Sequence, residues 1–151
     1  MPVDADFVTI FGSGNDLNTT LNYDIGTATD TGTSTLCGCI NTTLDNFYTI
    51  CPATPIGIIA PTPWFGWPTT TPDNRMEQYV EAMKQVCEYR GVPFLDLYHE
   101  SNLRPENTVN RELCFYAQSL DGNGDGVHPN NLGHKIIAPK IYEFVKKLLL
   151  A

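Results

Sequence analysis

Three short apolar runs along the chain have the character of buried β-strands. They cover residues 6–11, 56–60 and 93–98, are rich in Val, Ile, Leu and Phe, and are bounded by Gly or Pro. Nearly continuous apolarity is typical of strands that are covered on both faces, as in a parallel sheet. The pattern therefore predicts a parallel sheet with about three strands.

Three longer segments repeat their apolar residues with the period of an α-helix. They cover residues 36–48, 76–87 and 136–148. Gly91 is expected to end the second helix, because glycine favours the left-handed backbone that follows a helix. Pro139 should kink the third helix, since proline cannot donate a backbone hydrogen bond.

The predicted strands and helices alternate, which indicates an α/β fold with right-handed crossovers. Residues 12–32, 61–72 and 99–129 are then loops, and all three follow the carboxyl ends of strands. Those ends meet at one edge of a parallel sheet, where open α/β folds bind their ligands. The length fits a single domain over residues 1–151.

The overall composition argues against several classes of partner and site. The net charge of −8 disfavours nucleic acid and anionic membranes, and no apolar run is long enough to span a bilayer. The first six residues lack the basic and apolar regions of a signal peptide. None of the five cysteines forms a Cys-x-x-Cys pair, so we expect reduced thiols, no metal site and a reducing compartment such as the cytoplasm.

The strongest chemical signal is an Asp-x-x-His motif formed by Asp125 and His128 on a turn rich in Gly and Pro. A carboxylate that accepts from Nδ1–H holds an imidazole in one tautomer and stabilises the imidazolium that forms when Nε2 takes a proton. The three-residue spacing allows that contact on a turn. The motif therefore predicts a general base with its orienting acid, joined by a hydrogen bond.

The same segment admits a second interpretation as a calcium loop. Asp121, Asn123, Asp125 and Gly126 match the first half of an EF-hand loop. The position of the bidentate glutamate is occupied by Leu132, and no helical pattern precedes the loop. A calcium-stabilised structural domain remains a less favoured alternative.

Two further groups follow the predicted strands. Asn15 comes after the first strand, and its side-chain amide could donate to an oxyanion that develops at the ligand edge. Gly14, directly before it, is a predicted substrate-binding position. Trp64 and Trp67 follow the second strand and would either wall an acyl or sugar pocket or pack within their loop.

Asn15-Asp16 and Asp125-Gly-Val-His128-Pro, in this order and spacing, resemble two sequence blocks of the SGNH or GDSL-type serine hydrolases. In that family, a Gly-x-Asn-Asp turn supplies an oxyanion donor and an Asp-x-x-His block precedes the last helix. Here Ser13 stands in place of the glycine. The resemblance covers nearly the whole chain. It implies a three-layer, flavodoxin-like α/β fold, a catalytic set of Asn15, Asp125 and His128, and no cofactor.

One family block has no counterpart in this sequence. The family carries its nucleophile in a Gly-Asp-Ser block ahead of the Asn block, whereas only eleven residues precede Gly12 here. We therefore expect a truncated domain that lacks the N-terminal strands and helices of the family, and we expect the chain alone to be inactive. Ser13 is a weak substitute, because it lacks the Gly-x-Ser-x-Gly elbow.

The resemblance implies hydrolysis of carboxylic esters, such as acylated carbohydrate, by a Ser-His-Asp mechanism whose serine lies outside the chain. The alternative is a non-catalytic α/β module that binds a glycan through Trp64 and Trp67. The apolar strand at residues 6–11 would form an uncovered sheet edge. Together with the helix at residues 136–150, it is expected to cause self-association.

Overall fold

The computed structural model describes residues 4–12, 14–17, 24–65, 75–117 and 124–150. Its central element is a parallel sheet of three strands: β1 (Val8–Phe11), β2 (Ile56–Ile59) and β3 (Phe94–Leu95), in that spatial order. All four residues of β2 are buried, because this strand is central and covered on both faces. The predicted α/β fold with a three-stranded parallel sheet is confirmed.

The three predicted helices form close to their expected bounds. They are α1 (Leu36–Ile50), α2 (Arg75–Arg90) and α5 (Asn131–Leu149). Gly91 follows α2 with a φ of 65°, as expected for a residue that ends a helix. Helix α5 is continuous through Pro139, which lies on its exposed side. On that side, a carbonyl group that loses its hydrogen bond within the helix can bond to water instead.

The helices cover the sheet on both faces and make three layers. Helices α1 and α2 pack with Val8, Ile56 and Ile58 in one apolar cluster. Helix α5 packs with Ile59 and Leu95 in a second cluster. Successive residues of β2 point to opposite faces, so the strand contributes to both clusters.

Gly57 brings the last helix close to the middle of the sheet. A Cβ added there would lie 2.6 Å from Cζ of Phe144 and 2.8 Å from Cδ1 of Leu148. The absence of a side chain at this position therefore allows α5 to approach β2 directly.

Part of the segment predicted as a loop over residues 99–129 forms regular secondary structure. It contains α4 (Thr108–Cys114), β4 (Phe115–Ala117) and the whole of β5 (Gly124–Pro129), which pairs antiparallel with β4. These elements are too short to show a period of their own, and the β4–β5 pairing depends on non-local contacts.

The third strand is shorter than predicted. It ends at Leu95, because the Asp96 carboxylate accepts the backbone N–H of His99, at 3.0 Å, and caps the short helix α3 (Leu97–Glu100). A residue that bonds its own downstream backbone competes with continued strand pairing.

Among the described residues, β1 pairs only with β2 and forms one edge of the sheet. Phe11 is 55% exposed at the end of that strand. The described helices include none that is both long and apolar enough to cross a bilayer. All five cysteines are free thiols, and four of them are buried.

Candidate active site

Asp125 and His128 lie on β5 and form the contact that their spacing predicted. Oδ2 of Asp125 is 2.6 Å from Nδ1 of His128. Oδ1 accepts two backbone N–H groups, from Val127 at 2.8 Å and from His128 at 2.9 Å. Gly126 adopts a φ of 71°, which lets the strand bend enough for these contacts. The pair therefore sits on a bent strand that pairs with β4, and not on a free turn.

The electrostatic environment of the pair favours an ionised carboxylate. Burial raises the pKa of Asp125, but the backbone N–H groups of His128 and Val127 and the His128 side chain outweigh it, so the pKa lies below its usual value. The Asp125 side chain is only 5% exposed, whereas that of His128 is 71% exposed. An ionised Asp125 accepts from Nδ1–H and leaves Nε2 available as a base.

A cavity of about 220 Å³ lies next to this pair. His128 and Trp64 line it, together with mainly apolar groups from the ends of β1 and β2 and from the start of α5. Thr62 and His134 also contribute to its wall. Thr62 is a polar residue that is only 4% exposed. Sequence reasoning did not single out Thr62, because a lone threonine after a strand carries no pattern.

Gly14 and Asn15 lie in a short 3₁₀ helix, Gly14–Leu17, directly after β1. Gly14 is buried, and a Cβ added there would lie 2.6 Å from Cη2 of Trp64. Since Trp64 also lines the cavity beside His128, the structure brings Gly14 and His128 to one edge of the sheet. Asn15 is exposed beside Gly14. Trp67 and Ser13 lie outside the described residues.

The calcium interpretation loses support from the position of Asp125. Both of its oxygens already accept hydrogen bonds, from two backbone N–H groups and from His128. Asp121 and Asn123 lie outside the described residues. Within the part of the chain that the structure describes, no group of three or more His, Cys, Asp or Glu side chains could hold a metal ion.

Asn130 fixes the junction between β5 and α5. Its side-chain oxygen accepts the N–H groups of Leu132 (2.9 Å) and Gly133 (3.2 Å) and so caps the helix. Its Nδ2 donates to the carbonyls of Leu113 (2.9 Å) and Phe115 (3.0 Å). This one amide therefore ties the strand that carries His128 to the end of α4 and the start of β4.

A second Asp-x-x-His pair, Asp96 and His99, follows β3. Oδ2 of Asp96 is 2.8 Å from Nδ1 of His99, and Oδ1 accepts the backbone N–H of His99. The spacing is that of Asp125 and His128, so the same sequence criterion would have found it. The His99 side chain is 50% exposed and that of Asp96 is 20% exposed. Asp96 caps α3, so this pair has a structural role at the start of that helix.

Comparison with known proteins identifies the class. The profile of the GDSL-like lipase/acylhydrolase family matches residues 1–136, and the chain belongs to this family. No match was found among curated proteins.

Solved structures share the fold. A protein from Lactobacillus plantarum is 25% identical with a TM-score of 0.77, and the alignment covers 97% of this chain and 69% of that one. A protein from Chitinophaga pinensis, described as a possible lipase, is 19% identical with a TM-score of 0.72 and coverage of 97% and 74%. An α/β hydrolase enzyme from the metagenome of Lake Arreo is 20% identical with a TM-score of 0.54 and coverage of 95% and 61%.

Proposed function

We propose that the chain carries the proton-transfer and oxyanion-binding part of a serine ester hydrolase. His128 is the general base, Asp125 orients it, and the Asn15 amide donates to the oxyanion. Membership of a lipase/acylhydrolase family supports the reaction class. The observation that carries the assignment is the 2.6 Å contact between the buried Asp125 carboxylate and Nδ1 of the exposed His128 at the wall of a cavity.

The reaction proceeds by acyl transfer in two halves. A serine Oγ attacks the ester carbonyl carbon while its proton passes to Nε2 of His128. The tetrahedral oxyanion accepts from Asn15, and its collapse breaks the C–O bond to the alcohol, which leaves with the proton from Nε2. Water then attacks the acyl-serine with the same proton relay and releases the carboxylic acid.

The serine is proposed to come from outside this chain. Among the described residues that line the cavity there is neither serine nor cysteine. Ser101 is fully buried, and its Oγ accepts the N–H of Leu103 at 3.2 Å. Cys114 is also buried, and that burial raises the pKa of its thiol, which disfavours the nucleophilic thiolate.

The substrate is proposed to be a carboxylic ester with a short acyl group, and an acylated carbohydrate fits this class. A cavity of about 220 Å³ is smaller than those that hold drug-sized ligands, roughly 300–1,000 Å³. Its lining is mainly apolar, with Trp64 on one wall, which suits an acyl chain better than a sugar ring. Gly14 would shape the same wall, because its missing side chain lets Trp64 lie against the backbone. Trp67 is proposed to add to the substrate contact.

Hydrolysis of p-nitrophenyl acetate tests the assignment of the nucleophile. The chain alone should be no faster than its His128→Ala variant, because a base without a nucleophile gives little turnover. A rate that is lost in both His128→Ala and Ser13→Ala would contradict the proposal and make Ser13 the nucleophile.

Joining the chain to a polypeptide segment that contains the Gly-Asp-Ser block tests the assignment of His128 as the base. If such a segment lies upstream in the gene, the joined protein should hydrolyse the ester, and His128→Ala should abolish that activity. Asp96→Asn, which disrupts the second pair, is the matched control and should leave the rate unchanged. Glycan binding that depends on Trp64, with no hydrolysis by the joined protein, would favour the binding-module alternative.

We also propose that two copies of the chain associate through β1. The strand is an edge among the described residues, and Phe11 is 55% exposed there. On α5, Tyr142 is 65% and Leu149 is 53% exposed, so this helix also presents large apolar side chains to solvent. An open apolar edge tends to pair with another strand. Light scattering should show a dimer that Thr9→Pro weakens, and a strict monomer at high concentration would refute the proposal.

A further inference from the structure

Gly124 and Gly126, the two residues on either side of Asp125, both lie against Arg111 of α4. A Cβ added at Gly124 would lie 3.2 Å from Cγ of Arg111 and even closer to its backbone carbonyl. A Cβ added at Gly126 would lie 3.1 Å from Cδ of Arg111. The backbone on both sides of the orienting carboxylate is therefore in direct contact with this arginine.

The guanidinium of Arg111 makes two contacts. Its Nη1 donates to the carbonyl of the buried Pro105 at 3.0 Å. Its guanidinium carbon lies 4.1 Å from the centre of the Phe65 ring, within the range of a cation–π contact. The planar guanidinium can stack and donate at once, which a lysine ammonium cannot reproduce.

Phe65 completes the contact by binding the same strand. Its backbone N–H donates to the carbonyl of Gly126 at 2.9 Å. A Cβ at Gly126 would lie 2.7 Å from Cβ of Phe65, so Gly126 is enclosed between Phe65 and Arg111. Phe65 also directly follows Trp64, which lines the cavity.

We propose that Arg111 is a positioning residue, which holds the bent Gly124–Gly126 segment against Phe65 and so keeps the Asp125 carboxylate aimed at Nδ1 of His128. The arginine touches no reacting atom and acts only through Gly126 and Phe65. Its functional value rests on the proposed role of His128 as a base. Its structural effect on the pair is measurable without any turnover.

The test is proton NMR of the whole chain with Arg111→Met and with Arg111→Lys. A histidine Nδ1–H bound to a carboxylate gives a low-field signal, and two are available here, from His128 and His99. The His128 signal is assigned by its loss in His128→Ala. Arg111→Met should broaden or remove the His128 signal while leaving the His99 signal intact, and Arg111→Lys should restore it only in part.

Amide hydrogen exchange in the same samples separates positioning from general stability. Loss of a cation–π contact predicts about tenfold faster exchange of the Phe65 N–H. The N–H of Ile58, which donates to Pro93 in the central strand, should not change. Phe65→Leu should behave like Arg111→Met, and Phe65→Tyr, which keeps the ring, should behave like the unaltered protein.

Arg104→Met is the matched control, since Arg104 donates from Nη1 to the carbonyl of Leu103 and is an exposed arginine of the same segment. If Arg111→Met leaves the His128 signal and the Phe65 exchange rate as they are in Arg104→Met, the proposal is wrong. It is equally wrong if Ile58 exchange accelerates as much as Phe65 exchange, because Arg111 would then only stabilise the whole fold.

Discussion

Replacing Asn130 by alanine should destabilise the protein more than its half-buried position alone would indicate. The substitution removes the cap of α5, which is worth about 1 kcal/mol of the free energy of unfolding. It also leaves the carbonyls of Leu113 and Phe115 without their side-chain donor, at a cost of about 1 kcal/mol each. We therefore expect a total loss of about 3 kcal/mol, a large fraction of the roughly 5–15 kcal/mol typical of a domain.

Urea unfolding followed by circular dichroism measures this loss. With slopes of roughly 1–3 kcal/mol per molar urea, the midpoint should fall by about 1–3 M. Asn131→Ala is the matched control, because Asn131 is exposed and begins the same helix. That variant should stay within about 0.5 kcal/mol of the unaltered protein.

Asn130→Asp separates the two roles of the amide. The carboxylate still accepts the N–H groups of Leu132 and Gly133, and its charge suits a helix N-terminus. It cannot donate, however, and it places an oxygen against the two carbonyls. We expect about 2 kcal/mol to be lost, mainly from the missing donors. Our reasoning would be refuted if Asn130→Ala cost no more than Asn131→Ala, or if Asn130→Asp were as stable as the unaltered protein.

Three further outcomes are expected. Because the folded pKa of Asp125 is lowered, the stability that it contributes is full above its unfolded pKa, about 3.9, and is lost as the pH falls through the folded value. The difference in unfolding free energy between the protein and Asp125→Asn should therefore shrink below about pH 4, and a difference that grows there would contradict this. Gly133→Ala should lower the free energy of unfolding by about 1–3 kcal/mol, although alanine has the better helix propensity, because the new Cβ would meet the carbonyl of Cys114. Calorimetry measures this change, and a gain in stability would refute the close approach of Gly133 to Cys114. Burial raises the pKa of Cys87 to about 12, so mass spectrometry after brief iodoacetamide treatment of the native protein should find Cys39 labelled and Cys87 intact.

The elements that were predicted correctly have patterns long enough to be read locally. Helices α1, α2 and α5 each repeat apolar residues over three turns or more, and β2 is continuously apolar because both of its faces are covered. The β4–β5 pair left no such pattern. Strand β4 has only three residues, and β5 consists largely of Gly, Asp, His and Pro, so neither shows the apolar alternation of a strand.

The candidate site was predicted in part for the same reason. The Asp125–His128 hydrogen bond follows from a three-residue spacing, so the sequence alone could indicate it. The contributions of Thr62 and Arg111 could not be foreseen, because each depends on the approach of segments far apart along the chain. Arg111 meets Phe65 across 46 positions, and only the folded backbone shows that Gly126 lies between them.

The two backbone N–H groups that bind Oδ1 of Asp125 have a consequence for the His128 ring. These bonds hold the carboxylate in place whichever way the His128 ring turns, because they depend only on the backbone of β5. The exposed ring can therefore rotate toward solvent, exchange a proton there and return to an unchanged Oδ2. The pair combines an acceptor that the backbone holds with a solvent-exposed ring, so the Nδ1 proton can exchange with water by rotation of the His128 side chain alone.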